Sequence, residues 1–189
     1  MNLPPELALL EEQLITAEQD AQALVAGLNE SQGCWRASPG AWSVAQCLDH
    51  LARANRVYLD AMQPAAGYAG ERGQGRRGPA LPGILGRLFV YMLEPPVGRI
   101  TKMSAPRSIR PRSTPALADA LASFLRTQKE TQAFLRAHAS LDLGSIGFPN
   151  PFLPGIRFSL ATGLNVIAAH ERRHLWQAWQ VRARLPEGI

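Results

Sequence analysis

Four long segments with the apolar periodicity of α-helices are the feature that most constrains how this chain can fold. These segments cover residues 4–27, 43–63, 114–138 and 157–185. In the first segment, leucines and alanines recur at three- and four-residue intervals between Leu7 and Leu28. Ser43 stands where its hydroxyl can cap the second helix, and Pro115 suits the first turn of the third. No segment shows convincing strand alternation, so the sequence predicts an all-α fold.

The connection between the second and third helices is about 50 residues long, far more than a tight antiparallel turn requires. We therefore expect those two helices to run parallel after a crossover, whereas the shorter joins elsewhere favour antiparallel neighbours. The prediction is a four-helix bundle with up-down-down-up topology, formed by residues 1–189 as one domain.

Proline and glycine punctuate the long crossover, residues 64–113. Its first part, residues 64–80, is predicted to be an exposed loop. Residues 81–100 are predicted to form a short helix that breaks at Pro95 and Pro96, and residues 104–115 to be extended. A second loop is predicted at the next cluster of prolines and glycines, which covers residues 142–156.

The composition favours a folded chain outside the membrane. With 46% apolar and 19% charged residues, the sequence lacks the signature of intrinsic disorder. No apolar run approaches the roughly 20 residues that cross a bilayer, and the N-terminus carries acids where a signal peptide carries bases. We expect a cytoplasmic protein without membrane contact, in which Cys34 and Cys47 remain reduced.

The positive charge is concentrated in one part of the chain. The net charge is +5, with 18 Arg and only 2 Lys, and residues 71–112 hold nine bases against two acids. No helix-turn-helix, zinc-finger or aromatic RNA-binding signature accompanies this basic segment. Nucleic acid is therefore not the expected partner.

Three of the four histidines are placed where they could share a metal ion. His170 and His174 are four residues apart on the last helix, so their rings project from one face. His50 lies in the second helix, and if the two helices are antiparallel its depth agrees with theirs to about one turn. Three imidazole ligands would leave coordination positions open, which is the catalytic pattern. The alternative to a metal site is that the spacing of His170 and His174 arose by chance. The fourth histidine, His138, is expected to contact the last carbonyls of its own helix.

Residues 170–174 also read HERRH, a literal match to the H-E-x-x-H pattern of zinc proteases. That pattern is short, and no further histidine ligand follows it before the chain stops. Glu171 is rotated about 100° from His170 on the helix, so we expect it to face solvent or to pair with a neighbouring arginine. The protease interpretation is therefore disfavoured.

Three segments together resemble the signature regions of the DinB/YfiT-like superfamily. They read GAWSVAQCLDHLARANRVYL, KMSAPRSIRPRSTPALADALASFL and AAHERRHLWQAWQVRARLP. In that family a Trp-Ser pair opens the second helix ahead of the first His ligand, and the fourth helix supplies an H-x3-H pair often followed by Gln. The resemblance extends in order over nearly the whole chain. It implies a four-helix bundle that binds a divalent ion such as Ni, Zn, Mn or Fe through His50, His170 and His174.

The resemblance also suggests an activity. Relatives of known activity are commonly thiol-dependent transferases or isomerases, which use bacillithiol, mycothiol or glutathione. We therefore expect S-transfer from a metal-activated thiolate to an electrophilic small molecule. A hydrolase that uses metal-bound hydroxide is the first alternative, and a non-catalytic ligand-binding or stress-response bundle is the second. A homodimer is compatible with each of these functions, because exposed bundle faces often pair.

Several neighbours of the histidines are further candidates. Gln177 follows His174 on the same face and could orient a ligand or water, or simply lie at a helix contact. Cys47 could enter the cavity as a substitute metal ligand or as a reactive thiol, although a small buried cysteine is the commoner role. Asp49 is expected to face solvent. Trp42 and Trp176 are expected to pack in the core, with Trp176 as the candidate for the pocket wall.

The arginines of the crossover divide into two groups. Arg107, Arg110 and Arg112 stand between prolines and could bind the carboxylates of an anionic thiol cofactor. The arginines of residues 72–77 are expected to belong to a solvated loop.

Overall fold

The computed structural model describes residues 2–95 and 105–189, and most of these residues are helical. In chain order the elements are α1 (Pro5–Val25), α2 (Glu30–Cys34), α3 (Val44–Glu71), α4 (Ile84–Leu93), a 3-10 turn (Arg107–Ile109), α5 (Leu117–Ala137), β1 (Gly147–Pro149), β2 (Arg157–Ser159) and α6 (Leu160–Arg182). The predicted mainly helical fold is confirmed. None of the helices in the described part is both long and apolar enough to span a bilayer.

Helix α3 begins where the sequence predicts. The Ser43 hydroxyl accepts a hydrogen bond from the Gln46 backbone N–H, and the Gln46 side chain accepts one from the Ser43 N–H, each at 3.1 Å. This reciprocal cap satisfies two amides that the first helical turn leaves without partners. The Gln46 Nε2 group also donates to the carbonyls of Arg112 and Ser113, so the cap holds the end of the crossover against α3.

The sequence predicts that the second helix stops before Pro64, but α3 continues to Glu71. Pro64 cannot donate to the carbonyl of Asp60, but both residues are exposed, so water can satisfy that carbonyl. On either side of the proline, Met62, Ala66 and Ala69 are buried on one face, and this packing maintains the helix.

A two-stranded hairpin replaces part of the predicted loop and the predicted start of the last helix. β1 and β2 pair antiparallel, and Phe148 lies opposite Phe158, both of them buried. Residues 157–159 are therefore strand, and α6 begins only at Leu160, with Ser159 as its cap. Strands of three residues are too short to show an alternating pattern, which explains why the sequence did not reveal them.

The crossover is attached to the long helices at several points. Residues 64–71 belong to α3, Gly75 forms a bridge with Leu141, and Glu6 binds both the Arg76 side chain and the Ala80 N–H. The expectation of a wholly exposed loop over residues 64–80, with Arg76 solvated, is thus wrong.

The predicted short helix of the crossover is present as α4, which ends two residues before Pro95. Pro96, Arg99, Lys102 and Ser104 lie outside the described residues. Gly86 allows α4 to approach α6, because a Cβ at this position would lie 2.5 Å from Thr162 Oγ1. Residues 104–115, predicted to be extended, contain the 3-10 turn Arg107–Ile109. α5 begins at Leu117, three residues later than its predicted start at Thr114.

A layer of buried polar side chains divides the interior into two hydrophobic clusters. α3 packs against α5 and α6, and α1 packs against the same two helices. One cluster lies around Phe148 and Leu164, and the other around Leu48 and Phe124. The polar side chains between them are His50, Asn55, Thr127, Gln128, Thr131, Glu171 and His174. This layer contains the residues from which a functional site can be built.

Candidate metal centre

The three histidines converge at the contact between α3 and α6. His50 comes from α3, and His170 and His174 come from successive turns of α6. Their ring centroids lie 4.5–4.9 Å apart, and one ring nitrogen from each residue lies within 4.8 Å of the other two. The Nε2 atoms of His50 and His170 are 3.2 Å apart.

Two of the rings are oriented by hydrogen bonds on the side away from the cluster. His50 Nδ1 lies 2.7 Å from the carbonyl oxygen of Ile109, and His174 Nδ1 lies 2.9 Å from Gln177 Oε1. Because these oxygens only accept, each Nδ1 carries the proton. The Nε2 atoms of both neutral rings therefore offer a lone pair.

The surroundings keep the imidazoles neutral. Burial lowers the pKa of His50, and it lowers the pKa values of His170 and His174 well below 6.5. His50 and the Arg173 charge also lower the pKa values of His170 and His174, and His174 further lowers that of His170. Neutral imidazole is the form that ligates a metal, so no proton must be displaced near neutral pH.

This donor set fits a divalent ion. Two nitrogens bonded tetrahedrally to zinc at about 2.1 Å lie about 3.4 Å apart, close to the 3.2 Å between His50 Nε2 and His170 Nε2. Three imidazoles without a carboxylate or thiolate suit zinc, nickel or iron, and the set alone does not choose among them. Within the described parts of the chain, this trio is the group whose ligand atoms approach closely enough to hold an ion.

A cavity of about 170 Å³ opens beside the histidines. Aromatic and aliphatic side chains form most of its wall, among them Trp42, Phe89, Leu93, Phe152, Leu153 and Val166. The Trp42 ring lies 4.7 Å from the His50 ring and 5.5 Å from the His174 ring. Trp42 therefore forms the pocket wall, whereas Trp176, the residue expected there, is 40% exposed.

Glu171 takes part in a second buried polar cluster, directly beside the first. Its carboxylate accepts hydrogen bonds from Asn55 Nδ2 at 2.7 Å and from Gln128 Nε2 at 2.9 Å. All three side chains are fully buried, and burial raises the pKa of Glu171 to about 8. The expectation that Glu171 faces solvent or pairs with arginine is therefore wrong.

This placement also argues against the protease interpretation of HERRH. The Glu171 carboxylate is bound by amides of α3 and α5, and Glu171 is not among the residues that line the cavity. The sequence held one signal for this cluster, because Gln128 is a polar residue on the apolar face of its predicted helix.

Asp49 is buried, contrary to the expectation that it faces solvent. Its carboxylate accepts from the Arg112 backbone N–H, the Arg112 guanidinium and Arg53 Nε at 2.8–3.1 Å. Asp49 and Arg112 thus hold the segment that carries Ile109 against α3. Arg107 and Arg110 are exposed on that segment and do not line the cavity.

The cysteines and His138 are the remaining residues that the sequence analysis singled out. Cys47 is fully buried among apolar residues, burial raises its pKa to about 12, and it does not line the cavity. Both cysteines are free thiols, as expected. His138 Nδ1 lies 2.8 Å from the Phe134 carbonyl at the end of α5, which confirms its predicted role there.

Comparison with known proteins gives one match. A family model described as the DinB superfamily matches residues 13–178, which is more than half of the chain and includes all three histidines. No curated protein and no solved structure matches the chain.

Proposed function

The chain belongs to the DinB superfamily, and from this membership and the histidine geometry we propose that it is a metal-dependent enzyme that transfers a thiol sulfur to an electrophilic small molecule. The observation that carries the proposal is the convergence of three neutral imidazoles beside an apolar cavity. A purely structural site would be closed by protein ligands, whereas three ligands leave room for an exogenous one.

His50, His170 and His174 would hold the divalent ion, which when bound lowers the pKa of a thiol or water that coordinates it. The Ile109 carbonyl and Gln177 fix the rings of His50 and His174 in the orientation that ligation needs. Aromatic and aliphatic walls exclude bulk water and position the electrophile.

The arrangement of the helices is part of the proposal. We assign residues 1–189 to one domain, an up-down-down-up four-helix bundle of α1, α3, α5 and α6. Antiparallel α3 and α6 are supported by the contacts of His50 with His174 and of Asn55 with Glu171, in which the residue order is reversed. This arrangement places one imidazole of α3 opposite the two of α6.

A hydrolase is the second candidate function. The same open position accepts water as readily as a thiol, and the apolar cavity suits either substrate. The third candidate is a bundle that binds a small molecule without turnover.

Pairing of two chains is supported by the outer face of α4. Ile84 is 87% exposed and Tyr91 77% exposed, and Leu85 and Leu88 are exposed beside them. Exposed apolar patches of this kind mark association surfaces. Sedimentation of the wild type should show a dimer and that of Leu85→Glu a monomer, and a monomeric wild type would contradict the pairing.

The decisive experiment is elemental analysis of purified protein. Wild type should contain about one divalent ion per chain, and His50→Ala should lose it. His138→Ala is the matched control, because it removes a histidine outside the cluster and should retain the metal. Equal metal content in the wild type and His50→Ala would contradict the proposed site.

Activity then separates the two reactions. Metal-loaded protein is incubated with a general electrophile such as 1-chloro-2,4-dinitrobenzene, with and without bacillithiol, mycothiol or glutathione. Thiol-dependent product formation that His170→Ala abolishes supports S-transfer. Metal-dependent ester hydrolysis without any thiol would instead support the hydrolase.

A further inference from the structure

A second cavity, of about 430 Å³, opens between α3, α5 and the part of the crossover that contains the 3-10 turn. This volume lies within the range of about 300–1,000 Å³ that is typical of small-molecule sites. None of the described residues lines both this cavity and the one beside the histidines. We call it the arginine groove, after a polar lining that includes Arg53 and Arg56 of α3, Ser108 and Arg112 of the crossover, and Ser123 and Arg126 of α5.

Carboxylates hold three of the four guanidiniums of the arginine groove in place without covering them. Arg53 Nε lies 3.1 Å from one oxygen of Asp49, and Arg112 Nη2 lies 2.8 Å from the other. Arg56 pairs with Glu130 of α5. The three arginine side chains are still 40–47% exposed, and a guanidinium carries five N–H donors, so each can bind a further partner.

The arginine groove holds more positive than negative charge. Asp49 is shared by two arginines and Glu130 pairs with one, so two carboxylates meet four guanidiniums. The fourth guanidinium, that of Arg126, contacts a hydroxyl, with its Nη2 atom 3.4 Å from Ser123 Oγ. Residues 96–104, which lie outside the described part, contain no aspartate or glutamate that could supply a further carboxylate. The ion pairs of the groove therefore leave an excess of two positive charges.

We propose that the arginine groove binds a small molecule through a phosphate group. A phosphate monoester carries a charge of roughly −1.5 to −2 near neutral pH, which matches the excess positive charge of the groove. The planar guanidinium presents paired N–H donors that fit two phosphate oxygens. Ser123 Oγ accepts from Arg126, so the hydroxyl can donate its own proton to a phosphate oxygen. The proposal does not depend on the metal-dependent function, because the two cavities have separate linings in the described part of the chain.

The lining of the arginine groove favours a small phosphate compound over a nucleic acid. Within the part of the chain that the structure describes, no aromatic side chain lines the groove, so it offers no platform on which bases could stack. Its arginines line one concavity, whereas a nucleic-acid backbone is neutralised by basic residues that contact many successive phosphates. The phosphate group of a small molecule is therefore the ligand that fits this arrangement.

Pyrophosphate and acetate are the probes that test the charge requirement. Their binding is measured by calorimetry at low ionic strength, with the protein as purified and again after a chelator has removed any metal. Pyrophosphate should bind roughly tenfold or more tightly than acetate in both preparations, because acetate carries a single charge and reaches fewer guanidiniums. Equal binding of the two probes, or binding of neither, would overturn the proposal. Binding of pyrophosphate only to metal-containing protein would place it at the histidines and would also overturn the proposal.

Variants of Arg126 locate the interaction, because loss of this side chain leaves the ion pairs of Asp49 and Glu130 intact. Arg126→Gln should weaken pyrophosphate binding about five- to tenfold, and Arg126→Lys, which keeps the charge but loses the planar fork, should recover part of that loss. Arg184→Gln is the matched control, because it changes the net charge equally at an exposed site beyond the end of α6 and should leave the affinity unchanged. A folded Arg126→Gln protein that binds pyrophosphate as tightly as Arg184→Gln does would contradict the role of the groove.

Competition experiments identify the source of the phosphate group. Glycerol 3-phosphate, a small monoester, should displace pyrophosphate from the wild type. A short DNA duplex should not displace it at about 0.15 M salt, which screens non-specific contacts between exposed charges. Displacement by the duplex would assign the groove to a nucleic-acid backbone and overturn the small-molecule proposal, as would failure of glycerol 3-phosphate to compete.

Discussion

His170 and Glu171 are neighbours on α6, yet they belong to two buried polar clusters of opposite character. The histidine cluster borders a cavity, and one ring nitrogen of each histidine lies close to those of the other two, without an acidic partner among them. The Glu171 cluster is closed, with a carboxylate that binds an amide from each of two other helices. The difference is that the histidine cluster opens on a space that can take an added ligand, whereas the Glu171 cluster links three helices within the protein interior.

The two clusters also have different structural consequences. Glu171, Asn55 and Gln128 connect α6, α3 and α5 through hydrogen bonds that only one helix register satisfies. The imidazoles next to them are held in position by that register. We therefore expect changes in the closed cluster to affect stability first, and changes in the open cluster to affect ligand binding first.

The largest expected effect follows removal of the carboxylate. Glu171→Ala leaves Asn55 Nδ2 buried without an acceptor, leaves Gln128 Nε2 with only the Leu14 carbonyl, and creates a cavity. It should therefore lower the free energy of unfolding by about 2–5 kcal/mol. Urea denaturation of the metal-free protein measures this loss.

Glu171→Gln is the matched control for that variant. It keeps the shape of the side chain, and if the Asn55 amide turns, its partnerless Oδ1 can accept from the new amide while Gln128 still donates to the remaining oxygen. The stability of this variant near neutral pH should therefore remain within about 1 kcal/mol of the wild type. A loss in Glu171→Gln as large as in Glu171→Ala would show that the cluster depends on the carboxyl group itself and does not accept an amide in its place.

The next largest effect concerns the open cluster. Gln177→Leu removes the acceptor of His174 Nδ1, so the ring loses its fixed orientation. Metal affinity should fall about 10–100-fold, while the free energy of unfolding changes little. Competition with a chromophoric chelator measures the affinity. An unaltered affinity would mean that packing alone orients His174.

The pH dependence of stability should differ in sign between the clusters. The folded state holds the Glu171 proton up to about pH 8, but the unfolded chain releases it near pH 4.5. The contribution of Glu171 to stability therefore falls as the pH rises through this window. The lowered pKa values of the histidines mean that the unfolded chain binds more protons near pH 6.5, so their contribution falls as the pH decreases.

Two variants separate these opposite slopes in metal-free protein. Glu171→Gln should flatten the decline toward alkaline pH, and His170→Ala should reduce the decline toward acid, each group contributing at most about 1.4 kcal/mol per pH unit. Urea midpoints from about pH 5 to about pH 9 provide the profiles. Parallel profiles for both variants and the wild type would contradict the assignment.

The smallest effect is expected at Arg112. Its side chain is 47% exposed, and Asp49 keeps its bonds to the Arg112 backbone and to Arg53 when the guanidinium is removed. Arg112→Ala should therefore cost about 0.5–1 kcal/mol by thermal or urea denaturation, with Arg126→Ala as the control that costs nothing. A loss of metal by Arg112→Ala would reveal a stronger coupling of the Ile109 segment to His50.

The sequence predicted the elements that follow regular periodicity or a local cap. The long helices, the Ser43 cap and the three histidines on α3 and α6 could all be located because their signals lie within a few residues. The end of α3 could not be located from the sequence, because the packing of Ala66 and Ala69 on distant residues outweighs the local effect of Pro64.

The buried polar contacts were missed for a related reason. Helical rotation shows that Glu171 does not share a face with His170, but it does not show what the other face meets. Asp49 is buried because the Arg112 segment covers it, and Ile109 reaches His50 across 59 positions of sequence. Such partners are set by the tertiary arrangement, which no short window of sequence contains.

The separation of the ligands along the chain has a consequence for biosynthesis. His50 and His170 stand 120 positions apart. A nascent chain that has not yet emerged past residue 174 offers a metal at most two of the three imidazoles. All three imidazoles would thus become available to cellular metal only after residue 174 has emerged, and products truncated before it would compete poorly for scarce ions.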